Sequence, residues 1–299
     1  MRFATALLIG AAIMSSIATA HAQEVDWQKV DNALGRKAAA VSGDVHRYGF
    51  PRTDLTVKLD SVTIKPALAL GGWVAFKPMQ GEVMVMGDLV LLETEINPVM
   101  TKLIQNGVQI TAVHNHLLRA SPETFYMHVG GHGDPVKIAT ALRTALAASK
   151  TPLAPAAAGS PPPAVALDTK QLDQIIGVKG HANGGVYQFG VPRRDSVKME
   201  GMAVAPAGPL GVATGIGFQP TGNGRAAITG DFVMVASEVN PVIKALRSGG
   251  VEVTALHSHM LDEEPRLFFM HFWANDDAIK LAKTLRLALD AMANVKNSL

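Results

Sequence analysis

The chain contains one unit twice, and this repeat limits the folds that it can adopt. The segment MGDLVLLETEINPVM, residues 86–100, matches TGDFVMVASEVNPVI, residues 229–243, and seven of fourteen positions are identical when counted from Gly87 and Gly230. GFPRTD at 49–54 likewise matches GVPRRD at 190–195. A unit that recurs along nearly the whole chain predicts two domains of the same fold rather than one large domain.

Composition places the boundaries of the two units. Residues 1–22 combine Arg2, a short apolar run and small residues at the end, which is typical of a cleavable secretory signal. We expect cleavage after Ala22 and therefore a periplasmic or secreted protein. The Pro- and Ala-rich stretch 150–165 is typical of a linker. The predicted division is a first repeat at 23–149 and a second repeat at 166–299.

The residue pattern within each unit predicts an α+β fold. Asp26 and Asp168 can cap a short first helix that ends at Gly35 and Gly177. Alternating apolar residues then predict strands. Asn97 and Asn240 each precede a proline, a pattern that favours the start of a helix. A final amphipathic helix is expected from Asp134 and from Asp277. We therefore expect two tandem homologous units, each with a largely antiparallel sheet and two to three helices.

Each unit carries three histidines at the same spacing. They lie in TAVHNHLLRASPETFYMH, residues 111–128, and in TALHSHMLDEEPRLFFMH, residues 254–271. If each segment is a hairpin, the three imidazoles share one face, because side chains alternate along a strand. His128 is then opposite His114, while Val113, Leu117, Phe125, Met127 and Val129 face the core. In the second unit the core face is predicted to carry Leu256, Met260, Phe268, Met270 and Phe272.

Three imidazoles on one face are typical ligands of a divalent metal such as zinc or copper. A carboxylate can complete the set, and Glu95 and Glu238 recur at the end of the preceding strand. The predicted ligands are therefore His114, His116, His128 and Glu95, and then His257, His259, His271 and Glu238. An open position on the metal would permit hydrolysis through an acidified water. Asp88 and Asp231 also recur, but each follows a glycine and is interpreted as shaping a bend.

Two other interpretations of the histidines stay open. In one, the protein is a metal-free binding module in which the histidines, Tyr126 and Asn115 hydrogen-bond a small polar molecule. In the other, it is a structural envelope protein whose histidines bond to one another. The metal-site interpretation predicts that the ring nitrogens of each triplet converge on one point. The structural interpretation predicts that they are directed at backbone groups.

Charge and hydropathy exclude several classes of partner. The chain has 27 basic and 25 acidic residues and no block of Lys and Arg, so nucleic acid is not an expected partner. Beyond the leader, no apolar stretch is long enough to predict a membrane span. A metal or small-molecule ligand is the expected partner. Arg52 and Arg193 are expected to form salt bridges with Asp54 and Asp195.

Several segments of the first unit together resemble the LppY/LpqO family of exported bacterial proteins. These are FPRTDLTV, ALALGGWVAFKP, MGDLVLLETEINPVM, TAVHNHLL and FYMHVGGHGDP. The second unit is similar but has HSHML for HNHLL and MHFWANDD for MHVGGHGDP. The resemblance implies an exported protein with two tandem copies of the domain, and it implies no specific activity. It places His114, Asn115, His116 and His128 within the recurrent motif of the family.

Overall fold

The computed structural model describes residues 24–41, 43–79, 81–154, 164–204 and 208–292. The predicted signal, residues 1–22, and most of the predicted linker lie outside these ranges. The first unit contains, in order, α1 (Trp27–Leu34), β1 (Ala39–Ala40), β2 (His46–Pro51), β3 (Lys58–Leu59), β4 (Val62–Thr63), α2 (Pro66–Ala69), β5 (Gly71–Pro78), β6 (Val83–Leu92), α3 (Glu93–Gln105), β7 (Gln109–His114), β8 (Thr124–Gly133) and α4 (Pro135–Leu146).

The second unit repeats this order with small differences. It contains α5 (Thr169–Ile176), β9 (His181–Asn183), β10 (Val186–Pro192), β11 (Lys198–Met199), β12 (Met202–Ala203), β13 (Ala213–Gly222), β14 (Arg225–Met234), α6 (Ala236–Ser248), β15 (Glu252–His257), β16 (Glu263–Glu264), β17 (Phe268–Asp277) and α7 (Ala278–Asp290). The predicted α+β class and the two homologous units are confirmed. The first unit has a fourth, four-residue helix, α2, beyond the expected three.

Each unit is built on a six-stranded sheet. The strand orders are β1-β2-β5-β6-β8-β7 and β9-β10-β13-β14-β17-β15, and all described strand pairs are antiparallel. Strands β7 and β15, which carry His114 and His257, therefore lie at the edge of their sheets. No helix within the described residues is long and apolar enough to cross a membrane.

The short first helices begin and end where local chemistry predicts. Asp26 Oδ1 accepts a hydrogen bond from Lys29 N at 3.2 Å, and Asp168 Oδ1 accepts one from Gln171 N at 3.0 Å. Gly35 and Gly177 end these helices with φ of +71° and +85°. Because only glycine adopts this conformation without steric cost, the helix stops there.

The prediction that the next helix begins at Asn97 and Asn240 is wrong. Helices α3 and α6 begin four residues earlier, so that Pro98 and Pro241 lie inside them. The reason is the acidic residue in the first turn. Glu95 Oε2 accepts a hydrogen bond from Leu92 N at 2.9 Å, and this bond stabilises the earlier start.

The two sheets pack against each other, with the helices outside. In the first unit, alternate residues of the sheet, such as Phe76, Val85 and Met127, pack against that unit's helices. The second unit has its own core of the same kind. The opposite sheet faces form two apolar clusters with members from both units, one including Met84 and Phe269. The order of layers is therefore helices, sheet, sheet, helices.

Residues just beyond the predicted first unit also belong to its packing. Thr151 is buried, and Arg36 Nη2 donates a hydrogen bond to Pro152 O at 2.9 Å. Lys150 N donates to Glu95 Oε1 at 2.8 Å. Arg36 Nη2 also donates to Ala154 O at 3.2 Å, so residues 150–154 contact the first unit.

Candidate metal site between the two units

Strand β8 places His128, and strand β17 places His271, on the sheet face that meets the other unit. The predicted register is wrong by two residues: His128 pairs with Ala112, whereas His114 pairs with Tyr126. A β-bulge between Ile110 and Ala112 shifts the edge strand, as a bulge commonly does near a site. His114 and His128 still share a face, and their rings meet diagonally.

His116 and His259 do not lie on strands, contrary to the prediction. Each follows the end of its edge strand and lies flat on an aromatic ring of the neighbouring strand. The ring centroids are 3.3 Å apart for His116 and Tyr126, and 3.5 Å apart for His259 and Phe269. Tyr126 and Phe269 therefore support equivalent imidazoles in the two units.

The predicted core face is only partly correct. Met127, Val129, Met270 and Phe272 are buried in the cores of their own units. Val113 and Leu256 are instead 39% and 46% exposed, because they lie on the outer side of edge strands. Phe125 and Phe268 are partly buried, and Leu117 and Met260 pack in the clusters between the units.

The two histidine triplets form one cluster, which the sequence did not predict. The three closest stacks between two histidine rings each join one unit to the other. The ring centroids are 3.4 Å apart for His114 and His257, 3.6 Å for His116 and His271, and 3.7 Å for His128 and His259. Thr254 Oγ1 also donates a hydrogen bond to His116 O at 2.5 Å, across the same interface.

Backbone carbonyl groups determine which ring nitrogen carries the proton. His271 Nδ1 lies 2.8 Å from Gly230 O, and His257 Nδ1 lies 3.1 Å from Ser258 O. His114 Nδ1 lies 3.3 Å from Asn115 O. Because a carbonyl oxygen only accepts hydrogen bonds, each Nδ1 must be the donor, and the neutral ring then has an unprotonated Nε2.

These Nε2 atoms meet in two close pairs. His114 Nε2 and His128 Nε2 are 2.8 Å apart, and so are His257 Nε2 and His271 Nε2. In the second pair both Nδ1 atoms are donors to carbonyl groups, so two lone pairs face each other. A hydrogen bond between them requires an additional proton, whereas a bound cation satisfies both lone pairs at once.

Burial opposes protonation of all six rings. Burial, together with a smaller effect of the neighbouring His257, lowers the pKa of His114 to about 3, and burial lowers the pKa of His257 to about 4. The pKa values of the other four histidines, His116, His128, His259 and His271, are also well below the ordinary value, for the same reason. The rings are therefore neutral near pH 7, which is the form that binds metals.

The described residues contain three sets of side chains that could hold a metal. Within each set the ligand atoms lie within 4.8 Å of one another. Two sets consist of four histidines from both units, and the third consists of Asp88, His116 and His128. His116 Nε2 and His259 Nε2 are shielded from solvent and have no hydrogen-bond partner, so neither nitrogen is engaged by another protein group.

Glu95 and Glu238, predicted as metal ligands, belong to none of these sets. Glu95 Oε2 lies 2.7 Å from Arg52 Nη1, and Glu238 Oε2 lies 2.7 Å from Arg193 Nη1. Burial alone would raise the pKa of Glu95, but Arg52 and two backbone N–H groups outweigh it and lower the pKa. These carboxylates join buried arginines to helix starts and have a structural role.

The salt bridges expected for the two arginines are confirmed. Arg52 Nη2 lies 2.9 Å from Asp54 Oδ2, and Arg193 Nε lies 2.8 Å from Asp195 Oδ1.

Asp88 is the site residue that the sequence interpretation missed. It pairs with His128 across the ladder, as Asp231 pairs with His271. Burial raises the pKa of Asp88 to about 8 and of Asp231 to about 7. Asp231 Oδ1 accepts a hydrogen bond from Gly215 N at 3.1 Å, but Asp88 Oδ1 is buried without a partner. The recurrence of Gly-Asp in both units was the available signal.

Tyr126 and Asn115 contribute differently from the prediction that they bind a ligand directly. The Tyr126 hydroxyl donates a hydrogen bond to Ala69 O at 2.5 Å, so the residue offers the cluster its ring face. Asn115 acts through its backbone carbonyl, which orients His114. Ser258 has the same role beside His257, so the change from HNH to HSH preserves the arrangement.

Comparison with known proteins identifies a family. The model of the family described as Domain of Unknown Function (DUF1259) matches residues 28–148 and again residues 170–291. No curated protein matches the chain. A solved structure of a trimeric bacterial microcompartment shell protein, PduB, matches with 14% identity over 88% of this chain and 97% of that chain, at a TM-score of 0.23. Similarity at that level supports no shared fold or function. The two family matches together cover most of the sequence, and the chain therefore belongs to the DUF1259 family, with two copies of its domain.

Proposed function

We propose that this protein binds a divalent transition metal in the cluster of six histidines between its two units. The observation that carries the proposal is the pair of Nε2–Nε2 distances of 2.8 Å. Imidazole ligands lie about 2.0–2.1 Å from a bound metal, so two of them at a right angle are about 2.9 Å apart. The nitrogens are thus spaced as adjacent ligands of one ion.

The chemistry of the donors favours certain metals. Neutral imidazole binds zinc, copper, nickel and iron, and the chain has no cysteine to add a thiolate. Tetrahedral ligands would be about 3.3 Å apart, so the shorter separation favours the right angles of tetragonal Cu(II). Copper is therefore the first metal to test, and zinc is the second.

Burial supports binding more than hydrolysis. His128, His259 and His271 are each buried. Neither of two surface clefts on the described part of the chain is lined by any of the six histidines. A hydrolase needs a substrate beside the metal, so we include no hydrolytic step in the proposal.

The proposal includes export from the cytoplasm. The sequence of residues 1–22 supports it, because these residues have the pattern of a cleavable signal. The chain expressed with this segment should be recovered from the periplasm or medium, and its mass should correspond to a start at Gln23. Recovery only from the cytoplasm with residues 1–22 retained would contradict export.

Metal content tests the binding proposal directly. We would purify the mature protein without a tag or chelator, incubate it with Cu(II) or Zn(II), dialyse it and measure bound metal by elemental mass spectrometry. The variant His114→Ala/His257→Ala removes the two residues common to both four-histidine sets, and it should lose the metal. The matched control, His132→Ala/His181→Ala, removes two histidines outside the cluster and should keep it.

Circular dichroism would show whether each variant is folded. If the alanine variant does not fold, His114→Asn/His257→Asn keeps polar side chains at both positions and is measured in the same way. Absence of metal from the folded wild-type protein would overturn the proposal, and so would full metal content in the folded double variant.

A further inference from the structure

The two four-histidine sets overlap in a specific way. One contains His114, His128, His257 and His259, and the other contains His114, His116, His257 and His271. His114 and His257 belong to both sets. The remaining members are divided so that His116 and His128, from the same unit, belong to different sets. His259 and His271 are separated in the same manner.

The two shared histidines cannot serve two ions each. His114 Nδ1 and His257 Nδ1 are engaged by the carbonyl groups of Asn115 and Ser258, so each ring offers only Nε2. The Nε2 contacts then assign each shared ring to one side of the cluster. His114 belongs with His128, and His257 belongs with His271, each pair at 2.8 Å.

The remaining histidine of each set comes from the opposite unit. His259 stacks on His128 at 3.7 Å, and His116 stacks on His271 at 3.6 Å. The Nε2 atoms of His116 and His259 are buried without a partner, as expected of ligands without an ion.

We propose that the cluster binds two transition-metal ions, and that each ion takes two histidines from one unit and one from the other. The first ion is bound by His114, His128 and His259, and the second by His257, His271 and His116. This inference rests on the proposed function and specifies its stoichiometry and ligands. Neither unit completes a site by itself, so the bound ions join the two units.

Asp88 distinguishes the two halves of the cluster. A carboxylate oxygen of Asp88 lies within 4.8 Å of a ring nitrogen of His116 and of His128, which belong to different ions in this assignment. Asp88 can therefore coordinate either ion, or bridge them. Asp231 belongs to none of the three candidate metal-binding sets, and its Oδ1 accepts a hydrogen bond from Gly215 N.

Two double variants distinguish crossed sites from separate sites. His128→Ala/His259→Ala removes two ligands of the same proposed ion and should leave one ion per protein. His116→Ala/His128→Ala removes one ligand from each ion and should weaken both sites, by at least about 100-fold in affinity. If each unit instead bound its own ion through its own triplet, the two results would be reversed.

The readouts are the number of ions per folded protein after dialysis and the dissociation constants from competition with a metal chelator, for Cu(II) and for Zn(II). We expect two ions in the wild-type protein, one in His128→Ala/His259→Ala, and none retained in His116→Ala/His128→Ala. The corresponding asparagine variants replace any alanine variant that circular dichroism shows to be unfolded.

The outcomes separate this inference from the proposed function. Absence of metal in the wild-type protein overturns both. One ion in the wild-type protein, or the reversed pattern in the two double variants, overturns the crossed two-ion site but leaves metal binding in place.

Discussion

Metal binding should raise the thermal stability of the whole protein, because each ion is proposed to join both units. At a free metal concentration 100 times the dissociation constant, one site adds about 2.7 kcal/mol to the free energy of unfolding. Two independent sites add about 5 kcal/mol on the same basis. A protein of this size gains about 2–4 °C per kcal/mol, so the unfolding temperature should rise by roughly 10–20 °C.

Circular dichroism at increasing temperature, with chelator and then with Cu(II), measures this rise. The variant His128→Ala/His259→Ala should show about half of the wild-type increase, and His181→Ala should show all of it. The reasoning would be refuted if the protein bound two ions but unfolded in two steps, of which only one moved to higher temperature. That result would mean that the metal is held within one unit.

Three further predictions concern the groups around the site. The metal-free protein should lose stability as the pH falls below about 6.5. The reason is that six histidines have lowered pKa values and outnumber the two aspartates with raised ones. Equal urea unfolding midpoints at pH 7.5 and pH 5 would contradict this prediction. Gly230→Ala should lower the free energy of unfolding by about 1–3 kcal/mol, because the added Cβ would overlap the carbonyl group of Gly215. Gly190→Ala places its Cβ in open space and should lower it by less than about 0.5 kcal/mol in the same urea titration. Tyr126→Phe should keep the full metal content, but its free energy of unfolding should fall by about 1 kcal/mol, because the hydrogen bond to Ala69 is removed. A loss of metal would instead indicate that the hydroxyl contributes to the site.

The direction and the cause of this loss of stability at low pH follow from proton binding. The folded state holds the histidines neutral, while the unfolded chain protonates them near pH 6.5. The histidines' contribution to the stability of the folded state is therefore fully present above that pH. It decreases as the pH falls, because protons then bind preferentially to the unfolded state. The two aspartates act in the opposite direction, because their folded-state pKa values are above the unfolded value.

Local features were predictable where neighbours in sequence supply the partners. The caps at Asp26 and Asp168 depend on backbone groups three residues away, and the glycines that end these helices need no distant contact. The roles of Glu95 and Asp88 were not predictable in this way. Glu95 meets an arginine 43 positions earlier in the chain, and Asp88 lies near His128 on the neighbouring strand and His116 in the loop beyond another strand.

The sequence by itself determined that the chain is two copies of one α+β unit, because the repeat and the alternation of apolar residues are written along the chain. It also determined that three histidines in each unit come close together, since strand geometry acts over short distances. Only the tertiary structure decided that the two triplets form one cluster. The packing of one sheet face on another joins residues more than 130 positions apart, such as His116 and Thr254, and no local pattern specifies which faces meet.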